Sequence, residues 1–496
     1  MMRSLFRGGA VAALSLAALL GAGSVPTQAQ VAPPFTTLYS FGGDNFTTGG
    51  GDGQGPQADL LVGHDGALYG TTTYGPNGTV FRITPSGAYT KLYEFAYEND
   101  GGNPSGSLVE DKNGNLYGTT YDAGLNGYGT VFQLSPSGAL TTLHAFNYND
   151  GASPAGGLIF GKGGALYGTT SGGGAHGNGG TIFRMTTAGV LTTLFNFNYA
   201  DGLYPVGNLL ADKDGNLYGV TYGGGYTGGD FSSQAGTAFA FVPGIAFLPG
   251  YDFSTPTGGP PPTNYDGANP YAGLIRDNTG NLYGTTSAGG AYGYGTVFVI
   301  RPVGTTFGRQ FITLHSFTNG DDGGNPFGDL RIGKDGALYG TAGYGGTNGN
   351  GTIFRLTPDG GTFTTLYNFS ATNSSFINTD GVAPSAGLTI GPDGNFYGTA
   401  SGGGAYGGGT IFKLTMTPVI SSFAPQSGPV GTQVTLTGVN FTETTSVKLG
   451  SASAAFTINS DTSLTVTIPA GATSTRVTVT NPFGRGATSR AFHITH

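Results

Sequence analysis

The chain has no cysteine and no tryptophan, and only 9% of its 496 residues are charged. The first absence rules out disulfide staples, thiol catalysis and thiolate metal sites. Glutamate is nearly missing: Glu94, Glu98, Glu110 and Glu443 are the whole supply. None recurs in an equivalent loop, so no acid pair for glycoside chemistry can be assigned. Basic residues are sparse and the formal charge is −8. A nucleic-acid partner needs a basic patch, so none is expected. His64, His144, His176 and His315 do not have a metal-ligand spacing, and no Gly-x-Ser-x-Gly elbow or phosphate loop is present. The residues therefore nominate no catalytic group.

Glycine is abundant, with 96 copies, and aromatics make up 12%. Disordered chains are usually aromatic-poor and charge-rich, so this is a folded chain with many tight turns. Thr, Tyr, Phe and Val fill the ordered segments, which is a strand composition. The glycines lack the three-residue period of collagen.

The N-terminus is a separate object. Arg3 and Arg7 precede an apolar Ala- and Leu-rich run near Ala10–Ala22, then Pro26 and small residues ending at Ala29. This three-part layout reads as a secretory signal peptide over 1–29. A membrane anchor is the alternative, but the run is short for a span of about 20 residues. Its removal takes the formal charge from −8 to −10. No later segment is apolar enough to cross a bilayer, and an exported monomer, extracellular or at the cell surface, is expected.

The tripeptide Leu-Tyr-Gly, once Phe-Tyr-Gly, begins at 68, 116, 166, 217, 282, 338 and 396. Four segments recur around it in fixed order. A Thr-x-Leu-x-x-Phe strand comes first, as in Thr141–Phe146. An Asp-Gly-x-x-Pro loop and a short apolar strand follow, as in Asp150–Pro154 and Gly157–Phe160. A tight Asn-Gly or Asp-Gly turn then leads into Leu-Tyr-Gly-Thr-Thr, and a Gly-rich loop into Gly-Thr-Val/Ile-Phe. Asn-Gly or Asp-Gly between apolar runs is a strong hairpin signal. Four antiparallel strands in about 50 residues, seven times over, predict a seven-bladed β-propeller across 30–416. A parallel β-helix is the main rival, but its coils are shorter and lack paired hairpin turns. Phe35–Phe41 has no blade before it, and the last repeat lacks its final strand after Leu414. The N-terminal strand is therefore expected to complete the seventh blade and remove two open edges. The fourth repeat is irregular, with a stretched loop at 223–236 and a Pro-rich excursion at 255–264, expected to be disordered.

Composition shifts at Pro418. Short period-two strands such as Val434–Gly438, Leu464–Ile468 and Val477–Thr480 predict a small immunoglobulin-like β-sandwich over 417–496. The Gly431-Thr432-x-Val434-x-Leu436-x-Gly438 run and Asn440-Phe441 resemble the IPT/TIG family, whose modules are most often spacers or docking surfaces in secreted bacterial proteins. The repeats themselves, over roughly 35–415, look like the GloVer-type tandem repeats of secreted bacterial proteins. That resemblance implies export and a surface role. It supplies no catalytic residues.

In such a meander the Asp-Gly-x-x-Pro loops and the Gly-rich loops share one face, so binding is expected there. Loop tyrosines Tyr74, Tyr128, Tyr226, Tyr292, Tyr294, Tyr344 and Tyr406 are the candidate ligand contacts. The strand tyrosines (Tyr69, Tyr117, Tyr167, Tyr218, Tyr283, Tyr339, Tyr397) read as blade packing. Asp52, Asp100, Asp150, Asp201, Asp266, Asp322 and Asp380 could hold a cation such as calcium near the mouth. Asx-turns that cap backbone N–H groups are the favoured reading of these seven, and no cofactor is required. The functional expectation is a non-catalytic scaffold that presents this face to a glycan, a peptide or another envelope component. A propeller hydrolase or lyase acting on polysaccharide from an axial site is the alternative.

Overall fold

The computed structural model describes residues 34–42, 51–225, 235–303 and 308–495. The signal segment over 1–29 and Tyr226 fall outside the described residues. Among those described there is no helix. Seven four-stranded antiparallel sheets follow one another along the chain, and each is a meander in strand order. They form the expected propeller. The seventh sheet takes its outer strand from the other end of the chain: Phe35–Ser40 pairs antiparallel with Thr410–Leu414.

The Leu-Tyr-Gly-Thr-Thr segment can be explained residue by residue. Leu is buried in the core in every copy that carries it. The tyrosine ring is buried in six blades and half-buried at Tyr69. In six blades its hydroxyl donates to the aspartate of the adjoining tight turn, as in Tyr117 to Asp111 at 3.1 Å. Tyr167 has no aspartate there, because its turn reads Gly161-Lys162-Gly163-Gly164. The glycine lies opposite the phenylalanine of the next strand, as Gly118 lies opposite Phe132. A Cβ on Gly118 would come 2.6 Å from the Phe132 ring and 2.7 Å from Leu108. Gly118→Ala is therefore expected to destabilise the protein by about 1–3 kcal/mol through overpacking, read as a lowered melting temperature.

The two threonines look in different directions. The first reaches the next blade in two copies, where Thr119 donates to Gly156 O at 3.2 Å and Thr341 to Ala386 O at 2.8 Å. The second is buried against the first threonine of the following strand, as Thr120 meets Thr130 at 2.9 Å. The outer strand of each blade carries a bulge in its pairing with the third, for example between Val131 and Phe132. A bulge increases local twist, which suits a propeller blade.

The ring closes through a repeated clasp. The loop proline of each blade covers the glycine that opens the third strand of the blade before it. A Cβ on Gly129 would lie 2.8 Å from Pro154 Cδ, and one on Gly409 of the last blade would lie 2.7 Å from Pro56 Cδ of the first. Gly55 N also donates to Gly408 O across the same seam at 2.9 Å.

Two expectations need revision. The 255–264 excursion is ordered: Thr257 and Thr263 bridge each other, and Pro261 and Pro262 cover Gly293 of the next blade. The C-terminal module is all-β as expected, but seven of its nine strands join in one nearly closed, barrel-like ladder, with Ser427–Gly428 paired to His493–Ile494 beside it. The strand Ala452–Ser460 causes this, because its first residues pair with Ser446–Leu449 and its later ones with Ser463–Thr467. The ladder encloses a single core that includes Val434, Leu436, Phe441, Leu464, Val479 and Phe492. Phe483 of this module packs on Tyr339 and Phe396 of the sixth and seventh blades. Arg355 donates to Glu443 at 3.1 Å, and Asn481 to Met416 O at 2.8 Å. The module thus sits on the tight-turn face and leaves the loop-rich face clear.

Candidate functional site

The seven loop aspartates lie against the outer strands rather than the axis. Six bond to the residue that the outer strand offers in one fixed slot. Tyr39, Tyr93, Tyr251 and Tyr367 donate to Asp52, Asp100, Asp266 and Asp380 at 2.6–2.9 Å. His144 and His315 meet Asp150 and Asp322 at 3.0 Å. The slot beside Asp201 holds Phe195 and makes no such bond. Most also accept a backbone N–H, such as Ser370 N to Asp380 at 2.8 Å. Burial raises the Asp150 and Asp322 carboxyls, but hydrogen bonds from His144 and His315 and from nearby backbone or hydroxyl groups outweigh it and leave both below the ordinary value. Among the described residues no three His, Asp or Glu side chains gather as a ligand set.

Side chains from all seven blades do converge at one place. The residues between each loop proline and its inner strand line the central axis, from Gln57-Ala58-Asp59 round to Ser385. Three positions after the proline, the seven copies read Asp59, Ser107, Gly157, Asn208, Gly273, Asp329 and Gly387. These form one network. Gly387 N donates to Asp59 at 2.5 Å, Gly273 N to Asp329 at 2.6 Å, and Gly157 N to Asn208 at 2.9 Å. The Asn208 amide donates to Asp329 at 2.9 Å and to Ser107 at 3.2 Å. Asp59 and Asp329 line the same axial floor. Burial, and then the Asp329 charge, push the Asp59 carboxyl up to about 8, against weaker lowering by Gly387 N–H and Arg331.

Above this floor the axis opens on the loop-rich face into a cavity of about 280 Å³. Tyr271 and Phe327 stand at its wall, with ring centroids 5.7 Å apart and edge-on. Tyr344 continues the rim from Phe327 at 6.2 Å, and Tyr222 from Tyr271 at 6.3 Å. Tyr74 and Tyr121 belong to the same group, since burial and the phenols of Tyr121, Tyr222 and Tyr74 raise the Tyr271 hydroxyl. These tyrosines are 39–52% exposed. Gln57, Ser105, Ser385 and Ser401 supply polar wall, and no cationic side chain lines the cavity.

Of the loop tyrosines singled out from sequence, Tyr74 and Tyr344 belong to this rim. The others in the described chain lie elsewhere. Tyr128 packs on Tyr148, Tyr406 is felt by Tyr39 of the outer strand, Tyr294 joins an inter-blade core, and Tyr292 is exposed beside Gly293. Asp59, Asp329, Tyr271 and Phe327 were missed. Their signal was available, because each stands where the other repeats carry something different.

The model of the Gloeobacter/Verrucomicrobia repeat matches residues 30–231 and 230–463. The chain belongs to this family. No curated protein matches. Among solved structures, a fungal alcohol oxidase in complex with copper is 13% identical, with 94% of this chain and 99% of that one covered at a TM-score of 0.47. The extracellular domain of a hybrid two-component system from B. thetaiotaomicron is 12% identical, covering 94% and 60% at 0.48. A gluconolactonase from Xanthomonas campestris is 14% identical, covering 78% and 98% at 0.38. In this member of the repeat family, the repeated loop prolines clasp the blade before them, while the axial positions vary from blade to blade.

Proposed function

We propose that the protein is an exported or surface-associated binding scaffold whose axial funnel takes an extracellular glycan. The carrying observation is the rim of half-exposed aromatic rings over a polar cavity. Amphipathic rings of this kind offer flat apolar area with a polar edge at low entropic cost. The C-terminal module supports the reading, because it docks on the opposite face. Glycan-array binding by the full chain, repeated with Tyr271→Ala and Phe327→Ala, tests it. Each substitution is expected to weaken binding by about 1–3 kcal/mol, in the range of aromatic anchors. Binding that both variants retain in full would place the ligand elsewhere.

The axial carboxyl pair favours a second reading, a polysaccharide hydrolase or lyase. What weighs against it is that Asp329 is already committed within the floor, accepting from Gly273 N at 2.6 Å and from the Asn208 amide at 2.9 Å. Reducing-sugar release by the purified chain that is lost in Asp329→Asn would establish catalysis.

We read six of the seven loop aspartates, all but Asp201, as latches between loop and outer strand. Each carboxylate that is committed to a Tyr or His has little left for a cation. Millimolar calcium is therefore expected to leave the melting temperature unchanged, and EDTA likewise; a rise with calcium would show ion binding to the folded state.

A further inference from the structure

The side chains that line the axial cavity are unevenly charged. The cavity carries no Lys, Arg or His among its lining residues. Its floor carries Asp59 and Asp329 instead. The two groups whose fields reach Asp59 are Asp329 and Arg331, and Arg331 is tied by its Nε–H to Leu388 O at 3.1 Å. Three N–H groups of the floor, those of Gly387, Gly273 and Gly157, already serve Asp59, Asp329 and Asn208. An incoming carboxylate, sulfate or phosphate would find no cationic side chain among the described lining residues to replace its water. It would also face negative charge in a space with little room for screening water. A hydroxyl differs, because it can donate to a carboxylate and can accept from Ser105, Ser385 or Gln57. The Oγ atoms of Ser105 and Ser385 are buried and have no partner within the protein.

From these observations we infer that the funnel accepts uncharged saccharides and rejects their anionic counterparts. This rests on the glycan-binding reading above and adds the ligand class to it. The aromatic rim would hold the C–H faces of a sugar ring. The unpartnered serine hydroxyls and the carboxyl pair would take its hydroxyls. At about 280 Å³ the cavity is just below the usual range of about 300–1,000 Å³ for ligand sites, which suits a single sugar ring.

The test uses pairs of oligosaccharides that differ only in oxidation at C6: mannose with mannuronate, galactose with galacturonate, glucose with glucuronate. Titration calorimetry of the full chain at neutral pH reads each affinity. The expected result is binding of at least one neutral member, with its uronate at least about tenfold weaker. Methyl esterification of that uronate removes its charge without altering the protein and should recover most of the loss. Asp59→Asn combined with Asp329→Asn should narrow the neutral-to-uronate ratio, and Asp59→Asn alone serves if the double variant does not fold. A uronate that binds as tightly as its neutral partner, with both lost in Tyr271→Ala, would overturn charge selection while leaving the funnel as a glycan site. Absence of binding by every neutral and charged member, or binding indifferent to Tyr271→Ala and Phe327→Ala, would overturn the funnel reading and this inference with it.

Discussion

A chain that begins at Gly42 is expected to lose its cooperative unfolding transition. The missing segment is the outer strand of the last blade, so its loss leaves Thr410–Leu414 as a bare edge. It also opens the seam between first and last repeats. Phe41 is fully buried, against Phe81 at 5.5 Å and Tyr89 at 5.7 Å. Phe35 stacks on Tyr367 of the sixth blade at 4.0 Å, and Tyr39 on Tyr89 of the first at 4.0 Å. Leu38 joins the same core. Full burial of a large side chain contributes roughly 1.5–3 kcal/mol, so these four, of which Phe35, Leu38 and Tyr39 are half-buried, together contribute at most about 6–12 kcal/mol. Whole-domain stability is about 5–15 kcal/mol. Calorimetry should show a broadened or absent transition, and gel filtration should show self-association through the exposed edge. A peptide spanning Phe35–Gly42 added in trans should restore part of the transition. An unchanged transition in the shortened chain would show that the ring holds without its closing strand.

The closure was legible because it is a matter of bookkeeping: one strand too many at the start and one too few at the end. The blade strands were legible for a related reason, since seven copies average out local ambiguity. Residues repeated in every blade are there for the blade. Asp-Gly-x-x-Pro shows this well. Its aspartate meets the outer strand, its glycine takes a positive φ such as the 95° of Gly101, and its proline clasps the preceding blade. Repetition pointed to the right loops but to the wrong residues within them. Tyr128 and Tyr292 stand in loops on the correct face, yet only Tyr74 and Tyr344 are placed at the rim. Where a loop side chain points depends on the positive-φ glycines and on the neighbouring blade, and neither can be read from one repeat.

The axial site illustrates the opposite case. Close to the axis the seven blades crowd together, and identical side chains from every blade would collide or repel. Seven aspartates in the Asp59 position would bring seven charges together. The sequence instead places a glycine at three of the seven positions, so that Gly157, Gly273 and Gly387 each offer an N–H to the next blade's Asn208, Asp329 and Asp59. Alignment of the repeats hides this, because the position looks unconserved. The near-closure of the C-terminal ladder was not legible for another reason. Period-two strands do not reveal that Ala452–Ser460 passes from one partner to another, since both halves keep the same alternation.

Stability should fall as pH rises, and the burial of Asp59, together with the Asp329 charge beside it, is the cause. Asp59 is raised in the folded protein above its ordinary value of about 3.9. The folded state therefore holds a proton that the unfolded state has already released. With more protons bound in the folded state, the free energy of unfolding decreases with pH. The loss begins near the ordinary carboxylate value and continues up to the elevated one, about 8. Its slope is at most about 1.4 kcal/mol per pH unit for one proton. The latches contribute the other sign at low pH: Asp150 and Asp322 are depressed, so their stabilisation is complete above the ordinary value and lost as acid protonates them. A stability maximum on the acid side of neutrality follows. Asp59→Asn separates the two effects. The amide keeps the shape and can accept from Gly387 N, but it has no proton to lose. Melting temperatures of the variant and the parent should therefore diverge as pH is raised from 5 to 8, with the variant higher at the alkaline end. Parallel curves across that interval would mean that Asp59 holds no such proton in the folded state.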